Sequence, residues 1–324
     1  MRAVQVVQSG GPEVLKLVEL ALPPPAQGEV RLRLRYAGLN YIDVYQRRGQ
    51  GVKFPLILGK EGVGVVEGLG EGVSGLEVGQ RVAFGFDSGA YAEEVNLPAH
   101  SLVPVPEGVS DELAAALLLQ GMTAHYLVRS TYPLQAGDLA VVHAAAGGVG
   151  GLLVQLCKLI GATVLATAGS PQKRALALEL GADEALSYDD FASRAWELGG
   201  AHVVYDGVGQ STFAAGLDAL QVRGLMAVYG AASGPVPPLD EQTLNAKGGL
   251  FVTRPSLAHY TRTPQETQER CDELFGWVAQ GRLKVRVDRV FDLSEVAEAH
   301  RYLEERRTLG KVLLRTGEGG QERR

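Results

Sequence analysis

The chain has 324 residues, enough for two domains that each bury a core, and its 46% hydrophobic and 21% charged content is ordinary for a soluble globular protein. Its formal net charge of −6 argues against nucleic acid as the main partner, because binding a phosphate backbone requires clustered Lys and Arg. No apolar run approaches the ~20 residues that span a bilayer, and residues 1–11 lack the apolar segment of a signal peptide, so the expected location is the cytoplasm.

Up to about Pro106 the sequence is rich in short strands separated by glycine and proline turns. Apolar alternation predicts strands at Arg2–Gln8, Val14–Leu20, Val30–Leu39, Gly62–Gly68, Arg81–Phe84 and Ala90–Val95. Only one short helix, within 38–50, interrupts them. Many short strands without helical alternation indicate an antiparallel unit that resembles a barrel.

From Asp111 the periodicity becomes helical, and two helices, Ser110–Leu119 and Thr123–Thr131, are predicted on either side of residues 120–122. Strands and helices then alternate from 138 to about 255, which is typical of a doubly wound parallel sheet. The final predicted elements are a helix at Pro264–Gln280, a strand at Val285–Phe291, a helix at Leu293–Arg306 and a strand at Lys311–Arg315.

The sequence from Asp138 to Asp183 predicts a strand, a glycine-rich turn, an amphipathic helix and a second strand. Such a turn brings the backbone close to a pyrophosphate, whose charge the N-terminus of the helix starting near Gly148 receives. The pattern departs from G-x-G-x-x-G, because Ala145 stands where the first glycine is expected. An alternative interpretation of the turn is close packing alone.

The tip of the second strand distinguishes the two nicotinamide cofactors. NAD-dependent enzymes usually place Asp or Glu there to accept a hydrogen bond from the ribose 2′-OH, and residues 166–170 contain neither. Ser170, Lys173 and Tyr188 instead offer hydroxyl groups and a positive charge, which favours NADPH. The alternative for Lys173 is a solvated charge at the start of a helix.

A catalytic zinc is not expected, because the two cysteines and six histidines show no ligand spacing. Cys157 and Cys271 are predicted to be buried thiols within helices rather than a disulfide or a metal pair.

Six segments, in order and over nearly the whole chain, resemble the medium-chain dehydrogenase/reductase superfamily, and within it the zinc-free quinone oxidoreductases related to ζ-crystallin. They are AGLNYIDVYQRRG, GKEGVGVVEGLGEGVSGLEVGQRVAF, GAYAEEVNLPAHSLVPVPEGVS, LQGMTAHYLV, HAAAGGVGGLLVQLCKLIGATV and LGKVLL. The resemblance implies an α/β fold, with a Rossmann doubly wound sheet as the NADPH-binding domain (122–258). A GroES-like, partly open β-barrel would form the catalytic domain (1–121 and 259–324), and the active site would lie in a cleft between the two.

Both zinc ions of the related alcohol dehydrogenases are expected to be missing, because the residues at their sites differ. Asn40 stands at a cysteine ligand of the zinc alcohol dehydrogenases, and Lys60 stands at the histidine of their G-H-E motif. The lobe that binds their structural zinc is missing between Phe84 and Tyr91.

The resemblance assigns Asn40 and Tyr45 as hydrogen-bond donors near the substrate oxygen. An alternative contact for Tyr45 is the nicotinamide ribose, and the structural alternatives are a helix cap for Asn40 and packing for Tyr45. The cofactor would be held by Ala146, Gly147, Gly148 and Val149 at the pyrophosphate, Gly169, Ser170, Lys173 and Tyr188 at the 2′-phosphate and adenosine, and Thr123, Gly230, Phe251, Thr253 and Lys311 around the nicotinamide. An exposed lysine before a strand is the alternative for Lys311.

The leading functional hypothesis is therefore metal-free transfer of electrons from NADPH to a small-molecule quinone. Reduction of activated alkenes such as enals and enones is a close alternative, and a non-enzymatic role, as in crystallins or RNA-binding relatives, is a more distant one. The strand that contains Phe251 resembles the sheet edge through which relatives form a homodimer.

Overall fold

A computed structural model describes residues 1–317 as two compact units. The first contains Met1–Leu119, Thr263–Gln280 and the chain from Val285, and the second contains Gln120–Arg262 with Gly281–Lys284. The chain passes from one unit to the other at residues 119–120 and 262–263, where the sequence predicted domain boundaries at 121–122 and 258–259. The assignment of cofactor binding and catalysis to separate domains remains a prediction.

The first third of the chain is dominated by short strands, as predicted. Its elements are β1 (Arg2–Val6), β2 (Lys16–Glu19), β3 (Glu29–Leu39), α1 (Tyr41–Arg47), β4 (Leu56–Ile57), β5 (Glu61–Leu69), β6 (Arg81–Gly85), β7 (Glu94–Pro98) and β8 (Val103–Pro104), with 3₁₀ turns at Pro12–Val14 and Ala99–Ser101.

The middle and the end of the chain alternate strands with helices. The elements up to residue 253 are α2 (Asp111–Tyr126), a π-helical turn (Leu127–Thr131), β9 (Leu139–Val142), α3 (Gly148–Ile160), β10 (Thr163–Thr167), α4 (Pro171–Glu179), β11 (Glu184–Leu186), α5 (Phe191–Glu197), β12 (Ala201–Asp206), α6 (Phe213–Ala219), β13 (Leu220–Val228), α7 (Glu241–Ala246) and β14 (Phe251–Thr253). The remaining elements are a 3₁₀ turn (Leu257–His259), α8 (Pro264–Ala279), β15 (Val287–Asp292), a 3₁₀ turn (Leu293–Glu295), α9 (Val296–Glu304) and β16 (Lys311–Arg315).

The first unit is built on a seven-stranded sheet in which six strands follow the order β15-β16-β3-β5-β6-β8, and β7 also pairs with β3. A smaller antiparallel sheet has the order β2-β1-β4. Strand β3 shows why the chain folds in this way: Val30, Leu32 and Leu34 are at most 1% exposed, whereas the arginines between them lie on the other face. The predicted alternation of this strand is confirmed.

The second unit is one parallel sheet with the order β11-β10-β9-β12-β13-β14. The order runs outward in both directions from β9 and β12, so the predicted Rossmann doubly wound topology is confirmed. Its central strands are apolar because helices cover both faces; all four residues of β9 are buried. The carboxyl ends of β9 and β12 are the topological switch point where such sheets bind ligands.

Two predicted elements are wrong. The strand predicted at Ala90–Val95 begins only at Glu94, because the backbone N–H groups of Ala90 and Tyr91 donate to the carbonyls of Gly59 and Leu58, away from the main sheet. The predicted break at residues 120–122 is absent, since α2 continues to Tyr126. A helical glycine such as Gly121 costs only about 1 kcal/mol, and the complete burial of Met122 offsets that cost.

Candidate active site

The glycine-rich turn follows β9 as predicted, and close approach of the backbone requires a glycine at position 150. Ala144 has a positive φ of 51°, Gly147 precedes α3 in an extended conformation, and α3 begins at Gly148. A Cβ atom at Gly150 would overlap the carbonyl oxygen of Ala144, and one at Gly148 would overlap the side chain of Gln120. The first N–H groups of α3 have no acceptor within the helix, so the turn fits an anionic ligand such as a pyrophosphate.

The tip of β10 carries no carboxylate. Ser170 is the N-cap of α4, and its hydroxyl oxygen accepts a hydrogen bond from the Lys173 N–H at 3.3 Å. Its O–H hydrogen is still available to donate, and Lys173 places a cation in the first turn of the same helix. A Cβ atom at Gly169 would lie 3.9 Å from the Tyr188 ring, so the structure brings these four predicted residues together. Their chemistry fits the 2′-phosphate of NADPH.

A buried histidine that the sequence analysis did not single out, His143, packs against the tip of β10 and Tyr188. His143 follows β9, is completely buried, and its Nδ1 lies 2.8 Å from Thr167 Oγ1. Its ring packs against Phe191 at 4.7 Å and Tyr188 at 5.9 Å between centroids. Burial lowers the pKa of His143 to about 4, so the ring is neutral at pH 7 and packs as an uncharged group.

The remaining predicted cofactor residues of the second unit lie on separate elements, one in α2 and the others in or after strands of the sheet. Thr123 is nearly buried in α2, and Gly230 follows β13, where a Cβ atom would overlap the Gly207 carbonyl. Thr253 ends β14 and is half-buried, whereas Phe251 begins the strand and is 59% exposed. Lys311, the last predicted cofactor residue, belongs to the first unit.

In the first unit, Asn40 lies in a buried polar cluster with Glu61 and Lys311, and each of the three is at most 4% exposed. Asn40 Nδ2 donates to Glu61 Oε1 at 2.8 Å and to the Gly38 carbonyl at 3.3 Å, while Asn40 Oδ1 accepts from Lys311 Nζ at 2.8 Å. Lys311 also forms an ion pair with Glu61. The alternative of an exposed lysine at position 311 is wrong, since its side chain is 1% exposed.

Asp43 extends this cluster along α1. Its Oδ2 accepts from the Asn40 backbone N–H at 2.8 Å and from the Tyr91 hydroxyl at 3.0 Å, and its Oδ1 is buried without a hydrogen-bond partner. Burial raises the pKa of Asp43 to about 7, although these hydrogen bonds and the charge of Lys311 act in the opposite direction. Burial also lowers the pKa of Lys311, and its ion pair with Glu61 offsets only part of that shift.

Tyr45 lies on α1, one turn beyond Asn40, and is half-buried. Its ring contacts that of Tyr41 at 5.6 Å between centroids, with the planes tilted by 58°. A half-buried phenol on the same short helix as Asn40 retains a polar tip that can reach a ligand. The roles of both residues toward a substrate remain predictions.

The side chains at the two positions discussed for zinc do not fit a divalent cation. Lys60 Nζ donates to Ser88 Oγ at 2.7 Å and lies 5.4 Å from the centre of the Phe86 ring, and Asn40 Oδ1 faces the ammonium group of Lys311. Ammonium groups repel a metal ion where zinc requires N, O or S lone pairs. Among residues 1–317, no group of three His, Cys, Asp or Glu side chains is arranged to hold a metal.

Sequence reasoning missed Glu61, Asp43 and Tyr91. One signal was present, because Glu61 is the only charge in the run EGVGVV, and a charge in a buried strand needs a partner. The predicted burial of Cys157 and Cys271 is confirmed, since both side chains are inaccessible. In the described part of the chain, no helix is both long and apolar enough to cross a membrane; the cytoplasmic location remains a prediction.

Comparison with known proteins identifies the family. The family model described as "Alcohol dehydrogenase GroES-like domain" matches residues 26–107, and the one described as "Zinc-binding dehydrogenase" matches residues 148–277. A quinone oxidoreductase of Pseudomonas aeruginosa is 41% identical over 321 residues, which cover 97% of this chain and 99% of that protein. The chain belongs to the quinone oxidoreductase family of the medium-chain dehydrogenase/reductase superfamily.

Two other members of the superfamily extend the comparison. The quinone oxidoreductase of Escherichia coli, solved in complex with NADPH, superposes with a TM-score of 0.95 at 38% identity and covers 97% of this chain and 100% of its own. A 2-haloacrylate reductase from a Burkholderia species is 38% identical over 328 residues, covering 96% of this chain and 98% of that protein. The predicted fold, a Rossmann sheet with a GroES-like unit, is confirmed.

Proposed function

We propose that the protein is an NADPH-dependent quinone oxidoreductase. The observation that carries the proposal is the similarity of nearly the whole chain to proteins named quinone oxidoreductases, one of which has been solved with NADPH. The strand tip without a carboxylate, where Ser170, Lys173 and Tyr188 gather, supports NADPH over NADH.

The residues that would hold NADPH follow from the geometry of the second unit. The N–H groups at the start of α3 would bind the pyrophosphate, and Ser170, Lys173 and Tyr188 would bind the 2′-phosphate and adenosine. When bound, the reduced nicotinamide supplies a hydride. A quinone needs little further activation, because reduction gives an aromatic product whose negative charge is delocalised.

The residues assigned to the substrate supply hydrogen bonds rather than Lewis-acid chemistry. Asn40 and Tyr45 would donate to the oxygen that becomes negative, a modest form of oxyanion stabilisation. Water would supply the proton that completes the hydroquinone. The ammonium group of Lys311 donates to Asn40, and Lys60 stands at the other position discussed for zinc, where it donates to Ser88. Zinc is therefore not part of the proposed site.

The test is oxidation of NADPH and NADH by a panel of quinones, with wild type and Lys173→Glu, after treatment with a chelator. Losing a charge-assisted hydrogen bond, worth about 1.5–3 kcal/mol, lowers the preference for NADPH by at least about tenfold. Gln172→Glu, which adds a carboxylate at the exposed preceding position of α4, is the matched control and keeps the preference. Wild type that oxidises neither nucleotide with any quinone contradicts the proposal.

Reduction of activated alkenes is a second candidate, favoured by the similarity to the Burkholderia 2-haloacrylate reductase. Both reactions begin with the same hydride, but the alkene accepts it at carbon. Comparing kcat/KM for quinones with that for enals and 2-haloacrylates on the same enzyme separates them. A higher value for the alkenes would replace the quinone in the proposal.

We further propose that the protein forms a homodimer through the β14 edge of the parallel sheet. In the described residues β14 pairs only with β13, and two large apolar side chains near this edge, Phe251 and Val222, are 59% and 63% exposed. An open edge with apolar side chains favours pairing with a second strand. Phe251→Asp is expected to give a monomer in sedimentation equilibrium; an unchanged dimer would place the interface elsewhere.

A further inference from the structure

The side-chain amide of Asn40 is held at both ends by groups of opposite charge. Glu61 is a carboxylate, which only accepts hydrogen bonds, and Lys311 is an ammonium group, which only donates them. The NH₂ group of Asn40 therefore faces Glu61 Oε1 at 2.8 Å, and its oxygen faces Lys311 Nζ at 2.8 Å. Reversing the amide would place like groups together at both ends, so its orientation is unique.

Fixing these two atoms also fixes the second N–H, because an amide group is planar. This N–H points toward the Gly38 carbonyl at 3.3 Å, beyond the usual range for a strong N–H···O bond. The backbone of Asn40 is fixed as well, since its N–H donates to Asp43 Oδ2 at 2.8 Å. Asn40 as a whole is only 4% exposed, so the surrounding protein holds this amide on nearly every side.

The buried ion pair between Glu61 and Lys311, which holds the amide, is expected to add little to the stability of the fold. Glu61 is inaccessible, Lys311 is 1% exposed, and Glu61 Oε2 accepts a further hydrogen bond from the Leu119 N–H at 2.8 Å. The free energy lost by removing both charges from water is about as large as the free energy gained from their attraction. Proteins in which such a pair is replaced by apolar residues are therefore often equally stable. The pair therefore contributes orientation more than stability.

We propose that Glu61 and Lys311 are positioning residues that fix the Asn40 amide so that its second N–H is presented to the substrate oxygen. This inference rests on the proposed function, because it concerns the same substrate oxygen. Asn40 shares the N–H between the Gly38 carbonyl and that oxygen and transfers no proton. Neither Glu61 nor Lys311 is required to touch the substrate.

The kinetic test is the double variant Glu61→Gln/Lys311→Met, which removes both charges together and leaves neither buried alone. At saturating NADPH its kcat for quinone is expected to fall about tenfold, as for a weakened oxyanion donor, while the melting temperature stays close to that of wild type. Arg315→Met, on the same strand as Lys311 but with an exposed ion pair to Asp292, is the control and keeps kcat. A raised KM for NADPH with unchanged kcat would overturn the proposal, because Lys311 would then serve cofactor binding alone.

Adding Asn40→Ala to the double variant identifies the route of the effect. If the pair acts through Asn40, the substitution lowers kcat in the double variant by less than about twofold, although it lowers kcat of the wild type about tenfold. Fold-changes that simply multiply would mean that Asn40 and the ion pair act independently. That result would overturn the proposal without affecting the quinone reductase assignment.

A readout that does not require activity is the side-chain amide NMR signal of Asn40. The chain has only three asparagines, Asn40, Asn96 and Asn245, so selective ¹⁵N labelling gives three NH₂ pairs, and Asn40→Ala assigns the one of interest. In wild type the Asn40 pair is expected to exchange slowly with water, and in the double variant quickly. Fast exchange in wild type would overturn the positioning role even if no quinone were reduced, and slow exchange without any quinone reduction would contradict only the proposed function.

Discussion

The glycine turn of the second unit and the Asn40 cluster of the first, the two regions proposed to bind polar ligands, are built by opposite means. The turn, residues 144–151, contains no charged side chain, and its backbone approaches the Ala144 carbonyl closely because Gly150 has no Cβ atom. The cluster places three ionisable side chains, Asp43, Glu61 and Lys311, at 1% exposure or less. The turn therefore depends on the absence of side chains, and the cluster depends on a balance of charge. Of these two regions, only the cluster contains side chains that titrate.

The charges in the cluster do not balance when every group is ionised. The cluster contains one ammonium group, that of Lys311, which pairs with Glu61 and also acts electrostatically on the carboxyl group of Asp43. Glu61 forms the ion pair, and Asp43 has one oxygen without a partner. A proton on Asp43 restores neutrality, which agrees with its raised pKa of about 7.

The first prediction concerns the pH dependence of stability. Asp43 ionises near its ordinary pKa of 3.8 when unfolded but near 7 when folded, so the stability associated with its neutral form is complete below pH 4. That stability is lost as the pH rises through about 7, by on the order of 2 kcal/mol between pH 5 and 8. Asp43→Asn removes the titration, and the free energy of unfolding in urea should then fall less over this range.

Two buried histidines impose the opposite trend, so the comparison must be made between variants. Burial lowers the pKa of His143 to about 4 and that of His300 to about 3, and their contribution to stability is lost as the pH falls below 6.5. Wild type and Asp43→Asn share both histidines, so the difference between them isolates Asp43. Parallel curves for the two proteins from pH 5 to 8 would show that the cluster is not the pH-sensitive region.

The two regions also differ in how far the sequence predicted them. The turn, the tip of β10 and the helix between them are contiguous, and their chemistry depends on residue types at fixed local spacing, so the sequence predicted each element. The Asn40 cluster joins residues 40, 61 and 311, which are brought together only by the pairing of β3 with β5 and of β16 with β3. No local sequence pattern predicts a contact between residues so far apart in the chain. The resemblance identified Asn40 and Lys311 separately, but their contact required the structure.

The smaller predicted effect tests whether Ser170 is only a helix cap. Its hydroxyl caps α4, so Ser170→Ala should cost about 1 kcal/mol of unfolding free energy. Thr263, whose hydroxyl caps α8 by accepting from the Glu266 N–H at 3.1 Å, provides a matched control. Thr263→Ala should cost a similar amount and leave the Kd of NADPH unchanged.

Ser170→Asp separates capping from phosphate recognition, because aspartate caps a helix as well as serine does but repels a phosphate. Its stability should match that of wild type, while its Kd for NADPH rises and its Kd for NADH stays the same, as measured by fluorescence titration. Ser170→Ala should weaken NADPH less, since it removes a donor without adding a charge. If Ser170→Asp bound NADPH like wild type, the 2′-phosphate would lie away from the start of α4, and the absence of a carboxylate at the tip of β10 would carry no information about the cofactor.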